Sequence, residues 1–266
     1  DYDHAYKEFD KLKNNPLYKE QSLYYLTQIL FIQGKYDKVI TNGEELLRTY
    51  PNSDNNLEIN RLLGNAYYQQ GDQTKARSML SKYVDATDYP LRGDLYILGV
   101  CYFNKRDYQN AIRCFSETVK ETDAITQNAY LYLGQSYLNL NDKNNARMSF
   151  EMAATSKFDK QVQEAAMYNY ALLIHETSFS GFGESVTIFE DFLNSFPDSE
   201  YADKVGDYLV EVYLTTKNYD AALSSIEKIR QPGSKILQAK QNVLFKLGTQ
   251  SFTNQDIEKA ITYFNN

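Results

Sequence analysis

Side chains capable of acid–base, nucleophilic or metal chemistry are few in this chain and stand far apart. Its 266 residues include two histidines, His4 and His175, and two cysteines, Cys101 and Cys114. General acid–base catalysis needs a titrating group held by a second group that orients it, and a lone histidine with distant acids supplies no such pair. A closed zinc site needs four ligands at characteristic spacings; two cysteines and two remote histidines make none. Gly181-Phe182-Gly183 is glycine-rich, yet it lacks the preceding strand and the following lysine of a phosphate-cradling loop. Asp54 with Glu58, and Glu184 with Glu190 and Asp191, have the placement of solvated helix faces. The expectation is a protein that is not an enzyme, with no catalytic residue, no metal and no cofactor.

The elements that would position any site follow from a repeat. Leu98-Gly99-x-x-Tyr102, then Tyr108, Ala111 and Phe115, returns as Leu133-Gly134-x-x-Tyr137, then Ala146 and Phe150. It stands earlier as Leu63-Gly64-x-x-Tyr67, then Gly71, Ala76 and Leu80. In both directions the register gives a ladder: Ala5, Val39, Ala76, Ala111, Ala146, Ser185, Ala222 and Ala260, at steps of 34, 37, 35, 35, 39, 37 and 38 residues. Four residues after each stands Phe9, Gly43, Leu80, Phe115, Phe150, Phe189, Ile226 or Phe264. Such a period predicts pairs of helices, A then B, joined by a tight turn. Gly64, Gly99 and Gly134 sit inside A helices, where glycine is unfavourable, so close approach of a neighbouring helix is the reason expected for them. Gly43 in a B helix departs from the pattern, at about 1 kcal/mol of helix propensity.

A unit of this length and spelling resembles the tetratricopeptide repeat, and the resemblance covers essentially the whole chain. It implies an all-α fold, an α-solenoid of stacked antiparallel helix pairs in a right-handed superhelix. Residues 1–266 are expected to form one array: a lone helix B over 3–15, then repeats at about 20–52, 57–90, 92–126, 127–161, 164–198, 203–230 and 241–266, the last truncated. The lone first helix, and the apolar Ile261 and Phe264 near the last residue, read as the ends of a segment cut from a longer array or of a chain whose ends are trimmed or disordered. Between the fifth pair of helices the turn Thr177–Gly183 is two residues longer than its neighbours, and Phe179 and Phe182 are expected to anchor it.

The resemblance further implies that A helices line a concave wall where peptide ligands lie. Wall positions matching the family include Tyr24 and Gln28 in repeat 1, Arg61, Asn65 and Tyr68 in repeat 2, Tyr96 and Phe103 in repeat 3, and Gln135 with Leu131 and Leu138 in repeat 4. Tyr168 and His175 follow in repeat 5. Family members that clamp a terminal carboxylate carry a set of lysines, arginines and asparagines there; here only Arg61, Asn65 and Arg92 resemble one. Aromatic rings with amide neighbours suit an extended or helical peptide instead. Many of the 24 tyrosines, among them Tyr67, Tyr102, Tyr137 and Tyr213, fall at core positions.

Composition narrows the partner. A net charge of -7 without a basic cluster argues against nucleic acid, and no apolar run reaches the roughly 18 residues of a membrane span. The cysteines fall in two helices of one repeat, so a bond between them is open, and free buried thiols are the simpler expectation. The functional expectation is a non-catalytic scaffold binding a peptide or protein segment. The alternative is a structural or assembly segment of a larger multi-domain bacterial protein whose activity lies elsewhere. Repeat ends such as Tyr50-Pro51-Asn52 and Phe196-Pro197-Asp198-Ser199 resemble those of bacterial envelope arrays and lean toward a periplasmic or envelope setting. The partner's identity is not readable.

Overall fold

The computed structural model describes residues 1–177 and 183–266, so the two phenylalanines of the long turn lie outside the described residues. Those residues contain fifteen helices and no strand. The chain divides into two compact units, Asp1–Asn141 and Asp142–Asn266. The first holds α1 (Tyr2–Leu12), α2 (Lys19–Ile32), α3 (Tyr36–Thr49), α4 (Asn56–Gln69), α5 (Gln73–Asp85), α6 (Arg92–Asn104), α7 (Tyr108–Thr118) and α8 (Ala124–Asn139). The second holds α9 (Lys143–Thr155), α10 (Lys160–Thr177), α11 (Glu184–Ser195), α12 (Ala202–Thr215), α13 (Tyr219–Lys228), α14 (Ser234–Thr253) and α15 (Ile257–Phe264). In the first unit each helix packs on the next in sequence, and α2, α4, α6 and α8 also lie side by side.

The same turn is made repeatedly by different residues. Gly34, Gly71, Arg106, Asn141 and Gln255 all have φ between 61° and 83°, and each stands five residues before a ladder position. After four of these five turns an aspartate caps the coming B helix, accepting a hydrogen bond from a backbone N–H: Asp72 from Lys75, Asp107 from Asn110, Asp142 from Asn145 and Asp256 from Lys259. Asn218 caps α13 in the same way, through the N–H of Ala221. A left-handed residue reverses the chain, and the carboxylate then satisfies an N–H that the new helix leaves open.

Close approach explains three glycines of the A helices, Gly64, Gly99 and Gly248. A Cβ on Gly64 would lie 2.5 Å from Leu80, one on Gly99 2.7 Å from Phe115, and one on Gly248 2.6 Å from Phe264. In each case a large B-helix side chain rests on bare A-helix backbone. The first helix pair reverses the arrangement: Gly43 of α3 receives Leu63 of α4, 2.8 Å from where its Cβ would be. Gly43 is therefore a packing seat, not the defect the sequence suggests. At the matching A-helix position Thr27 is buried and donates its hydroxyl to the Leu23 carbonyl at 2.6 Å.

Three further findings depart from the sequence expectations. Helix α14 begins at Ser234, well ahead of Gln241, because Ile236, Ala239 and Val243 already face the core of the second unit. Glu190, expected on a solvated face, is 3% exposed. It accepts a hydrogen bond from the Ser225 hydroxyl, which meets the Tyr213 hydroxyl at 2.7 Å, and Lys228 Nζ stands 3.6 Å away. Thus α11, α12 and α13 share a buried polar chain. Arg92 is engaged in the fold: Nε donates to the Thr118 carbonyl at 2.7 Å, and the guanidinium reaches Glu121, Asp123 and Thr126. It fastens the α7–α8 connection to the start of α6. Cys101 and Cys114 are free and buried, and burial pushes both thiols up to about 11, so neither is a reactive thiolate at neutral pH.

Three outcomes follow for stability. Gly99→Ala is expected to destabilise the protein by about 1–3 kcal/mol through overpacking, whereas Gly93→Ala, in the same helix with nothing within 4 Å of the new Cβ, stabilises by up to about 1 kcal/mol; urea denaturation of both checks the opposite signs. Asp107→Ala lowers stability by about 1 kcal/mol through loss of the cap, and Arg106→Gly raises it by about 1 kcal/mol by relieving the left-handed backbone. The Arg92 guanidinium and the Thr126 N–H hold the Asp123 carboxyl down at about 2. A depressed pKa means that this pair's contribution is complete above the unfolded value, near 3.9, and is lost as pH falls through about 2. Arg92→Met should therefore flatten the acid limb of stability between roughly pH 4 and 2, read from thermal midpoints across that range.

Candidate functional site

The adjacent A helices of the first unit place eight of the predicted wall residues in two linked groups. Across α2, α4 and α6 the group is polar. Gln28 donates to the Tyr24 hydroxyl at 2.8 Å, and both side chains are half-buried. Arg61 lies over the Phe31 ring, 5.8 Å from its centroid. Its Nε and Nη2 bond both carboxylate oxygens of Glu58 at 2.8 and 2.6 Å, and its Nη1 stands 3.6 Å from Asp94 Oδ2. Asn65 uses its amide nitrogen twice, donating to the Arg61 carbonyl at 2.9 Å and to Asp94 Oδ1 at 2.7 Å. Asp94 itself is 4% exposed. Burial raises its pKa against the lowering pull of Asn65 and Arg61, while Glu58 adds to the rise.

Across α4, α6 and α8 the group is aromatic. Tyr132 stacks on Phe115 at 5.2 Å with an interplanar angle of 8°. Tyr96 meets it at 6.2 Å and Phe103 at 5.1 Å, both edge-on, and Tyr68 packs against the same core. Burial raises the hydroxyl pKa values of Tyr68, Tyr96 and Tyr132, so all three are neutral donors. Gln135 lies half-buried one turn beyond Tyr132. Exposed apolar side chains complete the surface at Tyr25, Ile32 and Leu138.

Two members of these groups were not read from the sequence. Tyr132 stands one residue past the wall position Leu131, so the register assigned it elsewhere. Asp94 had a signal: it is the only acid in α6, directly before the apolar Leu95-Tyr96-Ile97-Leu98. An acid in the first turn of a helix is favoured by the helix dipole, and once buried it also needs a hydrogen-bond partner. Arg92 is removed from the clamp candidates, because its donors are held within the fold. Tyr168 and His175 belong to the second unit. Tyr168 is buried and stacks on Tyr201 at 4.3 Å, and His175 is half-buried against Phe189 and Tyr208 at 5.7 and 5.2 Å.

Chemically, the first-unit surface offers rings, amides and one guanidinium held between two carboxylates, an inventory for recognition. Among the described residues no group of three or more histidine, cysteine, aspartate or glutamate side chains is placed to hold a metal ion, and no described helix is long and apolar enough to cross a membrane.

The comparisons with known proteins agree with this architecture. The family model of the tetratricopeptide repeat matches residues 62–86, 95–121 and 128–156, which are α4–α5, α6–α7 and α8–α9. No curated protein sequence matches the chain. Among solved structures, it is similar to the MamA protein, at 22% identity and a TM-score of 0.53 over 70% of this chain and 95% of that one. It is also similar to the C-terminal part of a TPR repeat-containing protein from Cytophaga hutchinsonii, at 15% identity and a TM-score of 0.57 over 90% and 94%. A tetratricopeptide repeat protein from Parabacteroides merdae gives 15% identity and a TM-score of 0.50 over 92% and 91%. These likenesses show the fold, and the family match adds the repeat type, whose arrays are generally non-catalytic scaffolds for protein–protein interaction. The family's spelling thus identifies tetratricopeptide repeats within residues 62–156, and helix pairs before and after them repeat the same turn and seam.

Proposed function

We propose that the chain is a non-catalytic scaffold that holds an extended segment of a protein partner on the face formed by α2, α4, α6 and α8. The observation that carries the reading is the row of half-buried rings and amides, Tyr24, Gln28, Tyr68, Tyr96, Phe103 and Gln135, with the more deeply set Asn65 among them, on helices that lie side by side. Rings give contact area at small entropic cost, and amides give backbone-directed hydrogen bonds. Ring edges fixed by Tyr132 and Phe115 are pre-organised, so little order has to be imposed on binding. Tyr168 and His175 are part of the packing of the second unit and carry no weight in the proposal.

A display selection of random linear peptides against the whole chain tests this. The selected peptides should lose about tenfold or more in affinity for a Tyr24→Ser, Gln28→Ala double variant, and keep it for Leu237→Ser, an exposed position in the second unit. Peptides that bind all three forms equally would move the site away from this face.

A further inference from the structure

The charge balance of this face points to a more specific ligand. On α2, Lys19 pairs with Glu45 of α3 at 2.9 Å, and Glu20 accepts the hydroxyl of Ser53. On α6, Arg92 is held by the α7–α8 connection. Helix α8 carries no acidic or basic residue. What is left is the trio Glu58, Arg61 and Asp94, two carboxylates around one guanidinium. Arg61 has three of its nitrogens turned to these acids, so it is not available to an incoming anion. Asp94 keeps a buried oxygen, Oδ2, with no hydrogen-bond partner, its nearest cation being Arg61 Nη1 at 3.6 Å. The trio is one negative charge in excess, and part of that excess is unanswered.

The amide beside it has only one possible orientation. The Arg61 carbonyl and Asp94 Oδ1 are both acceptors, so the atom of Asn65 between them must be the nitrogen. Its Oδ1 makes no hydrogen bond and is not among the fully sealed unpartnered atoms, so in a residue 8% exposed this oxygen is an acceptor left without a partner at the edge of the buried cluster. Glu58 lies on the same helix face with its side chain 31% exposed, and the Tyr24 and Phe31 rings border it. Acceptor atoms, excess negative charge and ring faces together suit a cation. They disfavour a carboxylate.

We infer that this face selects a partner segment bearing a lysine or arginine side chain, seated beside Glu58 with a donor on Asn65 Oδ1, and flanked by neutral residues along α6 and α8. The inference rests on the functional reading above and adds the charge of the ligand to it. A cation placed here sees Glu58 directly and Asp94 through the low-dielectric wall, while Arg61, held between the two acids, cancels only one of them.

The selected peptides themselves provide the test. They are expected to share a lysine or arginine at one position among neutral neighbours. Replacing it with norleucine should weaken binding to the unaltered chain by roughly five-fold, the range of a partly exposed ion pair. With Glu58→Gln the lysine and norleucine peptides should bind within about two-fold of each other, at an unchanged melting temperature. The norleucine comparison needs no variant of the protein, so it stands even where Glu58→Gln fails to fold. Peptides that depend on Tyr24 and Gln28 but share an acidic residue, a free terminal carboxylate or only neutral residues would overturn this inference and leave the functional reading intact. Peptides that ignore Tyr24 and Gln28, or none enriched at all, would overturn both.

Discussion

A large side chain of one helix lying on bare backbone of its neighbour sets the geometry of this protein. Where Phe115 sits on Gly99, or Leu80 on Gly64, the two helix axes come closer than two ordinary side-chain layers would allow. Interiors are packed to crystal-like density, so the small residue on one side and the large one on the other are a matched pair. The exchange at the first pair of helices shows what is conserved physically. Gly43 lies on a B helix and receives Leu63 of the next A helix, yet the helices still touch through one small and one large residue.

Once the helix pairs are fixed in this way, the face of the first unit follows. Neighbouring A helices stand side by side, so residues about one repeat apart in sequence become lateral neighbours. This brings Asn65 to Asp94 and Arg61 between Glu58 and Asp94. The same spacing brings Ser225 to Glu190 and Arg92 to Asp123. Buried polar groups are tolerated where a partner from the next helix pair satisfies them. Two of these three contacts hold the fold together. The third leaves the Asn65 oxygen and one carboxylate oxygen of Asp94 without a hydrogen bond, which is why the proposed recognition surface is centred there.

Much of the fold was legible in the sequence because a packing rule repeated at a fixed interval shows through local divergence. The alanine ladder, the Leu-Gly-x-x-Tyr spelling and the apolar residue four positions after each ladder residue all reflect one seam. Helix caps were legible in principle: an aspartate stands four residues before Ala76, Ala111, Ala146 and Ala260. Glycine makes the turn at Gly34 and Gly71, but Arg106, Asn141 and Gln255 make it too. Any residue can be held left-handed when the helices on both sides fix its position, so the turn's spelling is weaker than its register.

The sequence by itself determined the helix pairs, their period, the seam residues and the rows of rings and amides available on the A helices. It did so because these depend on side-chain size and periodicity along one chain segment. Only the tertiary structure decided which polar residues are engaged. Glu190 looked solvated, Arg92 looked available, and Asp94 gave only its isolation among apolar neighbours. Their roles depend on a hydroxyl, a carbonyl or a carboxylate arriving from a helix some 30 residues away, and no local pattern encodes that meeting. The orientation of Asn65 belongs to the same class: its amide nitrogen is fixed by the Arg61 carbonyl of its own helix together with Asp94 of the next A helix, and only the fold brings the second to it.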